Sequence, residues 1–155
     1  MKVVVITISD RASRGEYADL SGPEIEKELR ARFPSVEISR RIVPDEPREI
    51  RDALEAGAGA DFILTTGGTG ISPRDVTPEV TKRFCQKEIP GIAETLRAQS
   101  YAETPAAMLS RGYAGLHGAT VVVNLPGSLK AVRLCMKVLC PVMEHAERML
   151  RGEGH

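Results

Sequence analysis

Asp61-Phe62-Ile63-Leu64-Thr65-Thr66-Gly67-Gly68-Thr69-Gly70 is the stretch on which the fold turns. Asp61 to Thr66 reads as a buried strand, and it runs into a loop with three glycines in four residues. Beyond the loop, Val76, Val80 and Phe84 recur at helical spacing, with Pro78 placed in a first turn. A strand, a glycine-rich turn and a helix in that order form half of a parallel α/β unit.

The same alternation extends on either side. Upstream, Lys2 to Ile8 is a nearly continuous β-branched run, as a strand covered on both faces requires. Ile25, Leu29 and Phe33 predict a helix over 23–33 that stops at Pro34, and Val36 to Val43 predicts a second strand. Glu46 to Ala58 carries Ile50 and Leu54 at helical spacing. Downstream, Pro90-Gly91 opens a helix through Ile92 and Leu96, and Thr120 to Asn124 forms the last strand. A long C-terminal helix follows, with an apolar face from Leu129 to Leu150 that Pro141 should kink or split. Residues 99–117 give no single pattern. The whole predicts one α/β domain of three layers, a mostly parallel sheet with helices on both faces.

Composition removes several function classes. The 155 residues are 42% hydrophobic and 27% charged, and lysine plus arginine balance aspartate plus glutamate at 21 each. A neutral chain without tryptophan, and with three Phe and three Tyr, is no platform for nucleic acid. The longest apolar runs, such as 3–6 and 120–123, are too short for a bilayer. The first strand begins at once, with no signal-peptide pattern. Cys85, Cys135 and Cys140 form no C-x-x-C pair, so they read as reduced thiols of a cytoplasmic protein. His117, His145 and His155 are scattered, which argues against a structural zinc.

Open parallel sheets bind ligands beyond the carboxyl ends of their strands. Those ends carry Ser9, Asp10 and Arg11; Asp45 and Glu46; Gly67, Gly68, Thr69 and Gly70 with Ser72, Arg74 and Asp75; and Asn124, Pro126, Gly127 and Lys130. The glycines let an anion approach backbone amides, and the helix that follows turns its positive end to the same place. Neither the P-loop nor the G-x-G-x-x-G fingerprint is present, which removes the usual ATPase and dinucleotide-dehydrogenase readings. Carboxylates beside a phosphate site are costly, since like charges 4 Å apart repel by roughly 4 kcal/mol at an effective dielectric near 20. Asp45 and Asp75 make sense there if a divalent cation, best magnesium, lies between them and the phosphates, with Arg74 and Lys130 neutralising the remainder. The plainer alternative for each aspartate is a helix cap. Ser9 and Thr69 are hydrogen-bond donors to a ligand or turn residues, and Ser110-Arg111 reads equally as a surface helix end.

Thr65-Thr66-Gly67-Gly68-Thr69-Gly70 with Arg74-Asp75-Val76-Thr77-Pro78-Glu79 resembles the signature of the molybdenum-cofactor biosynthesis domain of MogA and MoaB proteins and of the G domain of gephyrin. Ser9-Asp10-Arg11, Pro44-Asp45-Glu46, Leu109-Ser110-Arg111 and Asn124-Leu125-Pro126-Gly127 fall in that family's order, so the resemblance spans 1–155 as one molybdopterin-binding domain. It implies a molybdopterin adenylyltransferase that uses ATP and magnesium and releases pyrophosphate. It also implies Asp45 and Asp75 as the catalytic and metal-binding acids, with Ser9, Thr69, Ser110 and Asn124 on the pterin side. A homotrimer and hand-over of product to a MoeA-like protein are implied as well. Leu129 stands where relatives commonly carry proline before the lysine, which questions the stiffness of that loop. A non-catalytic pterin-binding paralogue and a pyrophosphatase-like hydrolase are the alternatives.

Overall fold

The structure, a computed structural model, describes residues 1–153. Its strands are β1 (Lys2–Ile8), β2 (Glu37–Val43), β3 (Phe62–Thr66), β4 (Lys87–Glu88), β5 (Ala114–His117) and β6 (Thr120–Leu125). The helices are α1 (Asp10–Ser13), α2 (Ser21–Arg32), α3 (Pro47–Gly57), α4 (Thr77–Phe84), α5 (Pro90–Glu103) and α6 (Leu129–Leu150). The sheet order is β2-β1-β3-β6-β5-β4, with β2, β1, β3 and β6 parallel and the β5 and β4 edge antiparallel.

Strand periodicity builds the two covering layers. Val3, Val5, Phe62, Leu64, Val121 and Val123 face α2, α5 and α6, packing on Ile25, Leu29, Leu96, Met136 and Met143. The alternate residues Ile6, Ile8, Ile63 and Val122 face α3 and α4, packing on Ile50, Leu54 and Val80. One residue of slip would invert both sets, so the two-faced burial fixes the register. Proline sits in the first turn of α3, α4 and α5, where its missing N–H costs nothing.

The three-layer expectation holds, and the differences are local. α2 begins at Ser21, two residues before Pro23, and the polar segment after β1 winds into α1. Residues 99–117 divide into the end of α5, a 3-10 turn over Pro105–Leu109, and β5. β4 has only two residues, too few for any periodicity.

Of the kink or split expected at Pro141, the split does not occur: α6 runs through it as one helix. Pro141 and Lys137, whose carbonyl loses its i+4 donor, are both exposed, so solvent can satisfy that carbonyl. On the other side, Met136, Leu139, Cys140 and Met143 anchor the helix to the sheet. In the loop before Leu129, the Ser128 hydroxyl caps α6 by accepting from the Ala131 N–H.

Candidate functional site

Strand order reverses between β1 and β3, since the chain crosses from β1 outward to β2 and then returns to the other side. The glycine loop lies at that switch point. Gly67 and Gly68 have φ of +98° and +64°. A Cβ on Gly67 would lie 2.2 Å from the Ile8 carbonyl oxygen, and one on Gly68 would lie 2.3 Å from Thr77 Oγ1 and 2.9 Å from Asp45 Oδ1. Only glycine fits there. The Gly67 N–H donates to the Leu125 carbonyl at 3.2 Å, and the Thr77 hydroxyl donates to the Gly67 carbonyl at 3.0 Å. The loop is therefore held by β6 and α4. Among the described residues, the N–H groups of Gly68, Thr69 and Gly70 have no protein acceptor.

The acids surround this loop. Asp45 Oδ2 accepts from the Asp10 N–H at 2.9 Å, and Asp10 Oδ1 accepts from the Asp45 N–H at 3.0 Å, so the ends of β1 and β2 clasp each other. Arg74 reaches across from the loop after β3. It donates to both oxygens of Asp10 at 3.0 Å and to Glu46 at 2.7 Å. That guanidinium holds the Asp10 carboxyl below its ordinary range. Asp45 moves the other way: burial raises its pKa, and the negative charges of Asp10 and Asp75 add to the rise. Asp75 Oδ2 accepts from the Ser72 N–H at 3.0 Å and lies 2.8 Å from where a Gly70 Cβ would stand. Neither aspartate is a helix cap. The caps of α3 and α4 are Glu46 and Val76, and neither makes a side-chain capping bond.

A cleft of about 410 Å³ opens beside the loop. Its sides are the loop with Asp75, one face of α5, the 3-10 turn, and the β6–α6 connection. Gly67, Gly68, Thr69, Gly70, Ser110, Asn124, Pro126 and Gly127 line it. The Thr66 and Ser21 hydroxyls fix the last two by donating to the Pro126 and Gly127 carbonyls at 2.7 and 2.9 Å. Asn124 is on the wall but spent on the scaffold. Its Nδ2 donates to Thr65 and Thr81 at 2.9 Å each, and its Oδ1 accepts from the Tyr113 N–H at 3.2 Å.

Four candidates stand outside the cleft. Ser9 caps α1 by accepting from the Ala12 N–H, Asp10 and Asp45 form the clasp behind the loop, and Lys130 pairs with Glu103 at 3.0 Å. Arg74 is likewise committed to acids, so it does not hold the surplus charge expected of it.

Two arginines were not legible as site residues. Arg111 donates to the Gly70 carbonyl and to the Asp75 carbonyl, both at 2.7 Å, and pairs with Glu79. It thus closes the far side of the glycine loop. Its place next to Ser110, in a motif already suspected, was the available signal. Arg97 lines the cleft from α5, the helix whose sequence pattern marks only Ile92 and Leu96.

The same fold is found among known proteins. Residues 4–145 match the model of a family described as "Probable molybdopterin binding domain". The molybdopterin adenylyltransferase of Helicobacter pylori strain J99 is 38% identical, over 96% of this chain and 86% of that protein. The molybdenum cofactor synthesis protein cinnamon of Drosophila melanogaster is also 38% identical over 94% of the chain, which spans only 25% of that longer protein. The crystal structure of the molybdopterin biosynthesis enzyme MoaB from Thermus thermophilus superposes with a TM-score of 0.90 at 42% identity, covering 97% of this chain and 96% of that one. With the family model covering nearly the whole sheet and its flanking helices, the chain belongs to the MogA/MoaB family of molybdopterin-binding proteins.

Proposed function

We propose that this protein is a molybdopterin adenylyltransferase, joining the AMP part of ATP to molybdopterin and releasing pyrophosphate. The observation that carries the reading is the pairing of open loop amides with two carboxylates that abut the same loop: Asp45 at Gly68 and Asp75 at Gly70.

The donor set suits magnesium. Both groups are hard oxygen donors; burial is the main cause of the raised Asp45 pKa, and a cation would offset that burial as well as the smaller repulsion from Asp10 and Asp75. Among the described residues, no three His, Cys, Asp or Glu side chains gather as a metal site. Asp45 and Asp75 would therefore hold the ion together with oxygens of the substrate, as magnesium commonly requires. When bound, the ion supplies neutralisation of phosphate charge.

The chain's own groups do the positioning. The amides of Gly68 to Gly70 receive phosphate oxygens of ATP, and Ser110 and the Pro126–Gly127 connection shape the cleft for the pterin. The terminal phosphate oxygen of molybdopterin then bonds to the α-phosphorus, and the bond from that phosphorus to the bridging oxygen breaks, with its electron pair leaving on pyrophosphate. Charge placement and orientation carry such a transfer, without a protein nucleophile. Incubation with molybdopterin, ATP and magnesium should yield adenylylated molybdopterin by mass and equimolar pyrophosphate. Asp75→Asn should lower turnover at least about a hundredfold while pterin binding persists. Pterin binding by the wild type without pyrophosphate release would instead identify a carrier.

We also infer assembly as a homotrimer. The number of copies comes from the family resemblance; the groove between α5 and α6, with Val142 and Met149 48% and 49% exposed, is an apolar face that self-association of any order would cover. Light scattering of the purified protein tests the assembly.

A further inference from the structure

Among the described residues, only two side chains lining the cleft carry charge, Asp75 from the loop and Arg97 from α5. Ala93, Leu96 and Ser100 flank Arg97 on the helix face that lines the cleft, and on its other side Arg97 borders a second hollow with Glu79, Lys82, Glu88 and Tyr113. Its Nη1 donates to the Gly112 carbonyl at 2.8 Å. That carbonyl belongs to a residue packed tightly on β6, where a Cβ would meet the Asn124 carbonyl oxygen at 3.2 Å. Arg97 is thus anchored by one of its five N–H groups, and among the described residues it pairs with no carboxylate.

Of the other cations near the strand ends, Arg74 is engaged by Asp10 and Glu46, Arg111 by Glu79 and Lys130 by Glu103, while Arg11 lies over the Tyr17 ring and does not line the cleft. The proposed transfer must bring a second phosphate group toward one already held at the loop, and the approach of two anions calls for a cation on the incoming side. We propose that Arg97 anchors the phosphate monoester of the pterin substrate, leaving the glycine loop and Asp75 to the nucleotide. The inference rests on the adenylyltransferase reading and adds to it the residue that holds the nucleophile. A guanidinium suits the task, because its planar fork matches two phosphate oxygens at once.

The test compares Arg97→Met and Arg97→Lys with the wild type. Dissociation constants for molybdopterin and, separately, for MgATP are measured by titration, with melting temperatures alongside. Loss of a charge-assisted contact should raise the molybdopterin constant about tenfold to a hundredfold in Arg97→Met, while the MgATP constant moves less than about threefold. Arg97→Lys should recover part of the loss, as a point charge without the fork. Unchanged molybdopterin affinity in Arg97→Met overturns the proposal, as does a loss that falls on MgATP. Equal losses for both ligands with a lower melting temperature reduce Arg97 to a tether for Gly112 and overturn it too. Because binding is read without turnover, a wild type that binds molybdopterin yet releases no pyrophosphate refutes the transferase reading alone. A wild type that does not bind molybdopterin refutes both.

Discussion

Asn124 separates scaffold from ligand contact most sharply. It is 4% exposed and makes three hydrogen bonds across three elements, joining β6 to Thr65 on β3, to Thr81 on α4 and to the Tyr113 N–H before β5. In Asn124→Ala the Tyr113 N–H loses its acceptor, and two threonine hydroxyls lose a donor. An orphaned buried group costs about 1–3 kcal/mol, while Thr81 keeps its bond to the Thr77 carbonyl, so the total should be about 3 kcal/mol. At roughly 2–4 °C per kcal/mol for a domain of this length, calorimetry should show the melting temperature falling by about 6–12 °C. Asn124→Asp keeps the shape and the acceptor but buries a charge, and its sign with pH is defined. Burial raises the new carboxyl's pKa above its unfolded value near 3.9, so the variant loses stability as pH rises between the two values and is least impaired in acid. A melting temperature unmoved in Asn124→Ala, with pterin binding weakened, would mean that the amide serves the ligand and that the hydrogen-bond assignment above is wrong.

Other outcomes follow from the same geometry. Gly67→Ala should cost at least about 3 kcal/mol, because its Cβ meets the Ile8 backbone, whereas Gly118→Ala, at φ +57° in open space, should cost about 1 kcal/mol in denaturant titrations. Arg133 clasps Glu24 at 2.9 and 3.2 Å and lowers its pKa, a contribution present above the unfolded carboxyl pKa and lost as pH falls through the folded one. The stability gap between wild type and Glu24→Gln should therefore be widest near neutrality and close in strong acid, as urea midpoints across pH will report. Burial pushes the Cys85 and Cys140 thiols up to about 11, so alkylation of the native protein at pH 8 should be far slower than that of the same cysteines in urea.

The sheet was legible because its strands carry the period that their burial demands. β1 and β3 are apolar on both faces, and both faces are covered. β2 was readable for a different reason: mostly exposed at the edge, it is bounded by Pro34 and Pro44, which fix its ends. The two-residue β4 and the four-residue β5 are too short to show a period, and their pairing is set by tertiary contact through the Gln86 and Ile89 amides, which donate to Leu116 and Ala114. Pro141 misled because helix breaking is a local rule, while α6 is held by a buried face on the opposite side. At the site, glycine and aspartate were readable by type and position. The commitment of Ser9, Asn124, Arg74 and Lys130 to other protein groups was not, because each partner lies on a different segment of the chain.

That commitment explains how short loops keep a fixed shape at the sheet edge. An exposed arginine–carboxylate pair alone contributes little to stability. Arg74 differs in arrangement: it binds the acid that binds the Asp45 amide, while the Asp10 amide holds the Asp45 carboxylate in return. Arg111 does the corresponding work on the other flank through the Gly70 and Asp75 carbonyls. The two guanidiniums thus fix backbone and carboxylate positions on either side of the glycines, leaving the Gly68 to Gly70 amides without protein partners among the described residues. Loss of either clamp should then leave the sheet intact and show mainly in the geometry of the loop. The arrangement spends cations on the scaffold so that the loop's own dipoles face the cleft, and that is why Arg97, free of any acid among the described residues, stands out as the charge left for a ligand.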